Sequence, residues 1–370
     1  MSNVFMVDVK SDPSVGCLAT DFIKLLNIPE LKKLLTNNRS IAIKVHIGEE
    51  GNYKYLSPSF ISLMVDELAD GKRALYVVDT SSITSGSRLF GDSWHALAAK
   101  HGFTYQSIGI DVVLADGYYG TDGDLVFIDK SEELAGVEIA DAILKSDALI
   151  VITHVTADPL TGLWGALAHL GLGCLTKKGK RRVHKALELK FNPDKCNGCG
   201  ICQEICVWNA IKVLPDKKVV IDKNKCISCG DCVIYCTNKA LYFDNKGLMR
   251  YRKRIVESAK AVMEALSNNV FFINFLLDIT PFSDNYPEPG SPIVPDIGIL
   301  ASKDPVAIDK ASLDLINNAP GIPTSIANKF NALTPGIDKI KAIYGIDVNF
   351  MIEYAVKQGL GSNKYKLIKI

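Results

Sequence analysis

The chain has 370 residues, 42 basic and 41 acidic, for a formal net charge of +1. So even a balance supplies no global field for nucleic acid or an anionic membrane, and electrostatic docking has to come from a local patch. Hydrophobic residues make up 48% of the sequence, enough for a large core, and the length implies two or three folding units.

In chain order, the first half alternates short apolar runs with amphipathic stretches, the pattern of an α/β domain. Strands are expected at Ile41–Ile47, Ala74–Asp79, Leu125–Ile128 and Ala148–Thr153, all rich in Val and Ile or flanked by them. Helices are expected at Ala19–Leu35, Ser57–Ala69, Ser93–His101 and Ser131–Lys145. Ser57-Pro58 supplies a cap and a proline for the first helical position, and His101-Gly102 supplies a stop. A glycine-rich stretch, Thr161 to Gly173, leads into the basic run Lys177 to Lys185. By default that run is a solvated face; because its Gly179 precedes a helix start, it is also a candidate grip for phosphate or an acidic redox partner. Beyond residue 247 the α/β pattern resumes. It gives a helix over Met249–Leu266, a strand over Val270–Leu277, and a proline-rich loop from Pro281 to Pro295. A strand at Ile297–Ala301, a helix opened by Asp304-Pro305 and running to about Asn317, and a helix over Phe350–Gln358 follow.

Eight of the ten cysteines lie between these halves in two copies of one spacing. Cys196, Cys199, Cys202 and Cys206 form the first C-x2-C-x2-C-x3-C run, and Cys226, Cys229, Cys232 and Cys236 form the second. This is the bacterial ferredoxin spacing for cubane iron–sulphur clusters, in which the fourth cysteine of each run serves the other cluster. The expected ligand sets are therefore Cys196, Cys199, Cys202 and Cys236 for one 4Fe-4S cluster, and Cys226, Cys229, Cys232 and Cys206 for the other. Gly200 and Gly230 let the backbone approach the inorganic core. Structural zinc has no use for a third cysteine in each run, and a disulfide framework belongs to short secreted chains. Val207 and Thr237 stand where a proline usually follows the fourth cysteine; ligation stays intact, but each adds a backbone N–H able to bond sulphur and raise the potential, so the motif alone does not set the potential. Cys17 and Cys174 read as small core residues.

Met1 to Asp12 shows no basic segment followed by an apolar stretch, and the runs Ala148–Ile152 and Val270–Leu277 fall well short of the ~20 residues that span a bilayer. A soluble cytoplasmic protein with reduced thiols is expected, and exposed clusters suit an anaerobic host. The architecture implied is an α/β fold, a mostly parallel sheet body formed by both chain halves, with an inserted α+β ferredoxin-like two-cluster domain. The divisions are residues 1–190, 191–246 and 247–370, with the inserted unit itself running from near Phe191 to near Phe243. His46, Asp79, His154 and Asp278 each fall at or beside the carboxyl end of an expected strand, the edge of an open sheet where ligands bind. Strand-end aspartates also cap helices and strand-end histidines often only bond backbone, so the group carries more weight than any member.

The chain resembles the domain-of-unknown-function 362 family of iron–sulphur proteins, whose members carry a ferredoxin insert in an α/β body. The resemblance spans nearly the whole length. Its carriers are Ile41 to Glu49, Asp79-Thr80 with Arg88, Ala115-Asp116-Gly117, Thr161 to Gly173, and Pro295 to Pro305. Where many members read His-Phe-Lys-Gly-His, this chain has His154-Val155-Thr156-Ala157-Asp158, and where they read Ala-Leu-Lys-Asn it has Ala166-Leu167-Ala168-His169. Ser283-Asp284-Asn285 replaces a usual Cys-Asp-Cys. Two lysines and two cysteines fewer in these loops imply a divergent branch with a less anionic ligand.

The function expected is a ferredoxin-type oxidoreductase passing single electrons from a soluble redox partner to a small molecule in the α/β crevice. His46, His154 and His169 are candidate proton donors, and Asp79 and Asp278 candidate orienting carboxylates. Gly171-Leu172-Gly173 lacks the rest of a dinucleotide fingerprint, so a nicotinamide or flavin is not implied, whereas the strand-end His and Asp set is a candidate for an extra metal. The alternative is a non-enzymatic electron carrier whose α/β body is a docking platform. Nucleic-acid binding through Lys177 to Lys185 is the weakest reading.

Overall fold

The computed structural model describes residues 1–10, 14, 16–215 and 218–370; Asp12, the last residue of the stretch read for a leader, lies outside the described residues. Among the described residues the body is built on one eight-stranded sheet. Its strands are β1 (Ser2–Asp8), β2 (Ser40–Lys44), β3 (Ala74–Asp79), β4 (Val112–Leu114), β5 (Ala148–His154), β6 (Val270–Leu276), β7 (Gly298–Ser302) and β8 (Tyr365–Lys369). Across the sheet the order is β8-β1-β7-β6-β5-β2-β3-β4. All neighbours are parallel except β7, which runs antiparallel to β1 and β6. The fold is thus α/β with a large, mostly parallel sheet drawn from both chain halves.

Period-two alternation explains why the central strands read as unbroken apolar runs. Ala42, Leu149, Val151 and Phe272 point into one core, and Ile41, Ile43, Ile150, Ile152 and Ile273 into the other. Strands covered by helices on both faces have no polar side to display. The helices Ala166–Gly173, Asn245–Ala265 and Pro305–Asn318 cover the first face, while Leu18–Leu26, Pro58–Leu68 and Gly91–Lys100 cover the second.

Several sequence expectations need correction. Residues Ser131–Lys145 do not form one helix. Gly136–Ala140 is a buried strand paired antiparallel with Gly123–Phe127, leaving only the short helix Asp141–Leu144. The alternating β-branched pair Val137 and Ile139 outweighs the helix formers around it, and Leu125–Ile128 accordingly belongs to this side hairpin rather than the main sheet. The helix expected over Ala19–Leu35 is two, Leu18–Leu26 and Pro29–Asn37, because Pro29 drives Ile28 to an extended conformation and starts the second. Cys17 is exposed at the mouth of the first of these helices rather than in the core, whereas Cys174 is fully buried. Gly179 lies inside the first turn of the helix Lys177–His184 and donates to the Thr176 hydroxyl that caps it. The loop from Pro281 to Pro295 contains no helix or strand.

One long-range cap positions the site. Asp309, on the helix Pro305–Asn318, accepts from the N–H groups of Ala166 (2.7 Å) and Leu167 (2.9 Å), and so starts the helix that carries His169. Burial raises the Asp309 carboxyl to about 6, against hydrogen bonds that lower it. A folded-state value above the unfolded one of 3.8 means that the contribution is complete below pH 3.8 and lost as pH rises through 6. Asp309→Asn is expected to flatten the stability–pH curve by about 3 kcal/mol across that window, read by urea denaturation at several pH values.

Residues 189–243 form a small unit held by two antiparallel pairs. Leu189–Phe191 pairs with Leu241–Phe243, and Ile211–Val213 with Val219–Ile221. Each cysteine run turns into one four-residue helix, Ile201–Glu204 or Asp231–Ile234, entered through Gly200 (φ 84°) or Gly230 (φ 104°). Only glycine adopts those angles without strain. Hydrogen bonds among the described residues help dock the unit on the body. Ser85 N–H donates to Asp231 (2.7 Å), Trp208 Nε1 to the Ile83 carbonyl (3.0 Å), Ser228 Oγ to the Leu187 carbonyl (2.6 Å), and His184 Nδ1 to the Ser228 carbonyl (3.0 Å).

Candidate functional site

Beyond the carboxyl ends of β2 and β3 lies a buried charged network. Alternation places Lys44 on the same face of the sheet as Ala42, toward the helix Ala166–Gly173. Its ammonium donates to Asp79 Oδ1 (2.8 Å), the Val45 carbonyl (2.5 Å) and His169 Nε2 (2.9 Å), which uses all three protons. Gly173 permits this approach, since a Cβ there would meet the His169 ring at 2.6 Å. Burial alone would raise the Asp79 carboxyl, but the charges of Lys44 and Arg88 outweigh it and hold Asp79 well below the usual carboxylate range. Arg88 lies 3.9 Å from Asp79 and 3.4 Å from Glu49, and donates to Asn285 Oδ1 at 2.8 Å. Cations and carboxylates balance in this network.

The hydrogen bonds assign the histidines. His46 accepts at Nδ1 from Gly48 N–H and donates from Nε2 to Asn285 Oδ1 (3.0 Å), so it is neutral; burial and then Arg88 push its pKa well below 6.5. His169 accepts from Lys44 and donates from Nδ1 to Thr153 Oγ1 (3.1 Å), and burial with the Lys44 charge lowers it likewise. In His154 both ring nitrogens face acceptors, Asp284 (2.8 Å) and the Leu277 carbonyl (2.8 Å). Burial would lower its pKa, but the Asp284 carboxylate prevails and raises it above the ordinary value.

A cavity of about 70 Å³ opens beside this network. His46, Asp79, Arg88, Lys180, His184, Tyr251 and Cys229 are among its lining residues. His169 stands behind the wall, bonded to Lys44, which in turn pairs with the wall residue Asp79. His154 and Asp278 do not line it: His154 is turned toward Asp284, and Asp278 pairs with Lys54 (2.5 Å) at the surface. The expected convergence of strand ends therefore brings His46 and Asp79 together and leaves His154 and Asp278 apart. Among the described residues, no three His, Cys, Asp or Glu side chains are arranged to hold a single metal ion.

Lys180 and His184 are functional candidates that strand-end reasoning missed. They share the inner side of the helix Lys177–His184, which buries Lys177, Lys180, Val183 and His184 and exposes Lys178 and Arg181. The spacing 177, 180, 184 is a helical face, a signal present in the basic run but masked by its uniform charge. Lys180 Nζ donates to Thr80 Oγ1 (2.7 Å) and to the Ser81 carbonyl, and burial lowers its pKa to about 8 against the nearby Asp116 carboxylate. His184 is lowered to about 4 by burial.

The eight cysteines of the two runs surround two smaller cavities. One is lined by Cys196, Cys199, Cys202 and Cys236, the other by Cys206, Cys226, Cys229 and Cys232. Cys199 is exposed and Cys232 is buried, so the first set is the outer one and the second lies against the body. Ala210 N–H points at Cys206 Sγ (3.3 Å) and Ala240 N–H at Cys236 Sγ (3.2 Å). Four thiols around each space, left-handed glycines at the turns and N–H donors aimed at sulphur fit a cubane cluster in each. Cys229 lines both the inner cysteine cavity and the polar cavity.

An uncharacterized ferredoxin of Methanocaldococcus jannaschii is 34% identical over 73 residues, 20% of this chain and 47% of the relative, so the chain spans less than half of that protein. Two solved structures align more broadly at 11% identity. Lactate racemase apoprotein from Thermoanaerobacterium thermosaccharolyticum is covered over 83% of its length by the whole chain, at a TM-score of 0.42. A structural-genomics target from Thermotoga maritima is covered over 50% by 70% of the chain, at a TM-score of 0.37. The family model described as a domain of unknown function (DUF362) matches residues 41–314, most of the chain, and the protein belongs to that family.

Proposed function

We propose that the protein is an iron–sulphur electron-transfer protein, a ferredoxin-type oxidoreductase that reduces a small molecule in the polar cavity. When bound, two 4Fe-4S clusters would supply one-electron transfer, held by Cys196, Cys199, Cys202 and Cys236 on the outside and by Cys206, Cys226, Cys229 and Cys232 on the inside. The observation that carries the reading is Cys229, a wall residue of both the inner cysteine cavity and the polar cavity. The ferredoxin-named relative supports an iron–sulphur protein. Arg88 and Asn285 present donors to a ligand whose net charge is small, since Lys44, Arg88, Asp79 and Glu49 already neutralise one another. Lys44 and His169 act as positioning residues behind Asp79.

The proton that accompanies reduction comes from Lys180 Nζ. His46 and His184 are neutral at pH 7, whereas Lys180, at about 8, still holds its proton and lines the cavity. With ε-13C-labelled lysine, one NMR resonance is expected to titrate with a midpoint near pH 8 and to vanish in Lys180→Arg. A Lys180 midpoint at its ordinary 10.5 would remove this role.

The reading as a whole is tested by anaerobic purification with iron and acid-labile sulphide analysis and a visible spectrum before and after dithionite. The expected result is about eight irons per chain and a bleaching absorbance. Colourless protein holding zinc would sink it.

A further inference from the structure

Along the outer side of the helix Lys177–His184 runs an open groove of about 840 Å³, and Cys226 of the inner cysteine set is part of its wall. Lys178, Arg181, Arg182, Lys185, Lys223 and Arg254 line it, against only two carboxylates, Glu133 and Glu188. Part of this charge is neutralised locally. Glu138 pairs with Lys178 (3.0 Å) and Arg182 (2.7 Å), and Arg254 lies 3.6 Å from Glu133. Lys185 and Arg181 are exposed, and Lys223 reaches Glu188 only at 3.7 Å with its side chain 83% exposed. On a chain whose net charge is +1, this is a concentrated local field.

We infer that this groove is the docking surface for a small acidic redox protein, which exchanges electrons with the inner cysteine set directly. The inference rests on the iron–sulphur reading for its redox step, but the docking itself depends on charge alone. One observation chooses a protein over a nucleic acid: whatever occupies the groove sits against Cys226, a position useful to an electron donor and pointless for a polyphosphate. One helix then serves both sides: its outer residues meet the partner, and Lys180 and His184 on its inner side line the substrate cavity.

The test uses the full chain with an acidic plant-type 2Fe-2S ferredoxin as probe, and measures affinity by isothermal titration at ~50 and ~500 mM salt. Binding is expected to weaken at least ~10-fold between the two salts, and a further ~10-fold at low salt in the double variant Lys185→Glu/Lys223→Glu. Lys364→Glu/Lys366→Glu changes the net charge equally at the β8 edge of the sheet and is expected to bind as the parent does. Reduction of the chain by methyl viologen, a cationic dye with no reason to use the groove, is expected to be unchanged in both variants. Failure to bind the ferredoxin, equal weakening in the two double variants, or displacement of the ferredoxin by a random duplex oligonucleotide would overturn the inference. Iron content and dithionite bleaching of the same samples report on the cluster reading separately, so the two can fail independently.

Discussion

Replacing Cys229 by alanine is expected to cut the iron content from about eight to about four atoms per chain and to abolish reduction of any ligand in the cavity. Cys229 is one of four thiols around the inner cavity and the one that also faces the polar cavity. Cys199→Ala removes a thiol of the outer set, where the residue is exposed, and is expected to lose the same amount of iron. The two variants should differ in which cluster remains. In Cys199→Ala the inner set survives against the body, and its reduced electron paramagnetic resonance spectrum should respond to Lys180→Gln or to a ligand in the cavity. The spectrum left in Cys229→Ala should not. Identical residual spectra in the two variants, or unchanged iron in Cys229→Ala, would defeat the assignment of an inner and an outer set.

Lys44→Ala is expected to destabilise the protein by ~3–5 kcal/mol, the range for breaking one half of a fully buried ion pair. Lys44 and Asp79 have side chains that are 0% and 1% exposed, so solvent screening gives no discount. The variant leaves Asp79 with Arg88 at 3.9 Å and removes the donor to His169 Nε2. The pH dependence has a definite sign. Asp79 is held below its unfolded value, so its contribution is present above about pH 4 and lost as the solution is acidified further. The parent should therefore lose more stability than Lys44→Ala on acidification below pH 4, as read from urea midpoints. Parallel acid curves for the two proteins would show that the pair is not what Asp79 titrates against.

Much of the architecture was legible because it is local. The doubled cysteine run, the caps at Ser57 and Asp304, and the apolar strands β2, β3, β5 and β6 are all written within a few residues of themselves. The edge strands β4 and β8, and β1 beside β8, were not, being short or mixed with polar residues that face solvent. Ser131 to Lys145 is rich in helix formers, and it took pairing with Gly123–Phe127 as well as the β-branched Val137 and Ile139 to make Gly136–Ala140 a strand. Strand pairing is a long-range decision that overrides weak propensity.

The candidate site divides the same way. His46 and Asp79 were legible as strand-end residues, whereas Lys180, His184 and Tyr251 reach the cavity from helices whose inner face, at 177, 180 and 184, was masked by the uniform charge of the run or, for Tyr251, set by packing. By itself the sequence determined the covalent repertoire: eight thiols at cluster spacing, and two stretches of apolar strands able to share one sheet. Only the tertiary structure decided which charges meet. It joined Lys44 to Asp79 and His169, sent His154 to Asp284, and set Cys229 against the cavity. A buried charge is tolerated only beside its partner, and those partners are brought together by strand order and helix packing rather than by proximity along the chain.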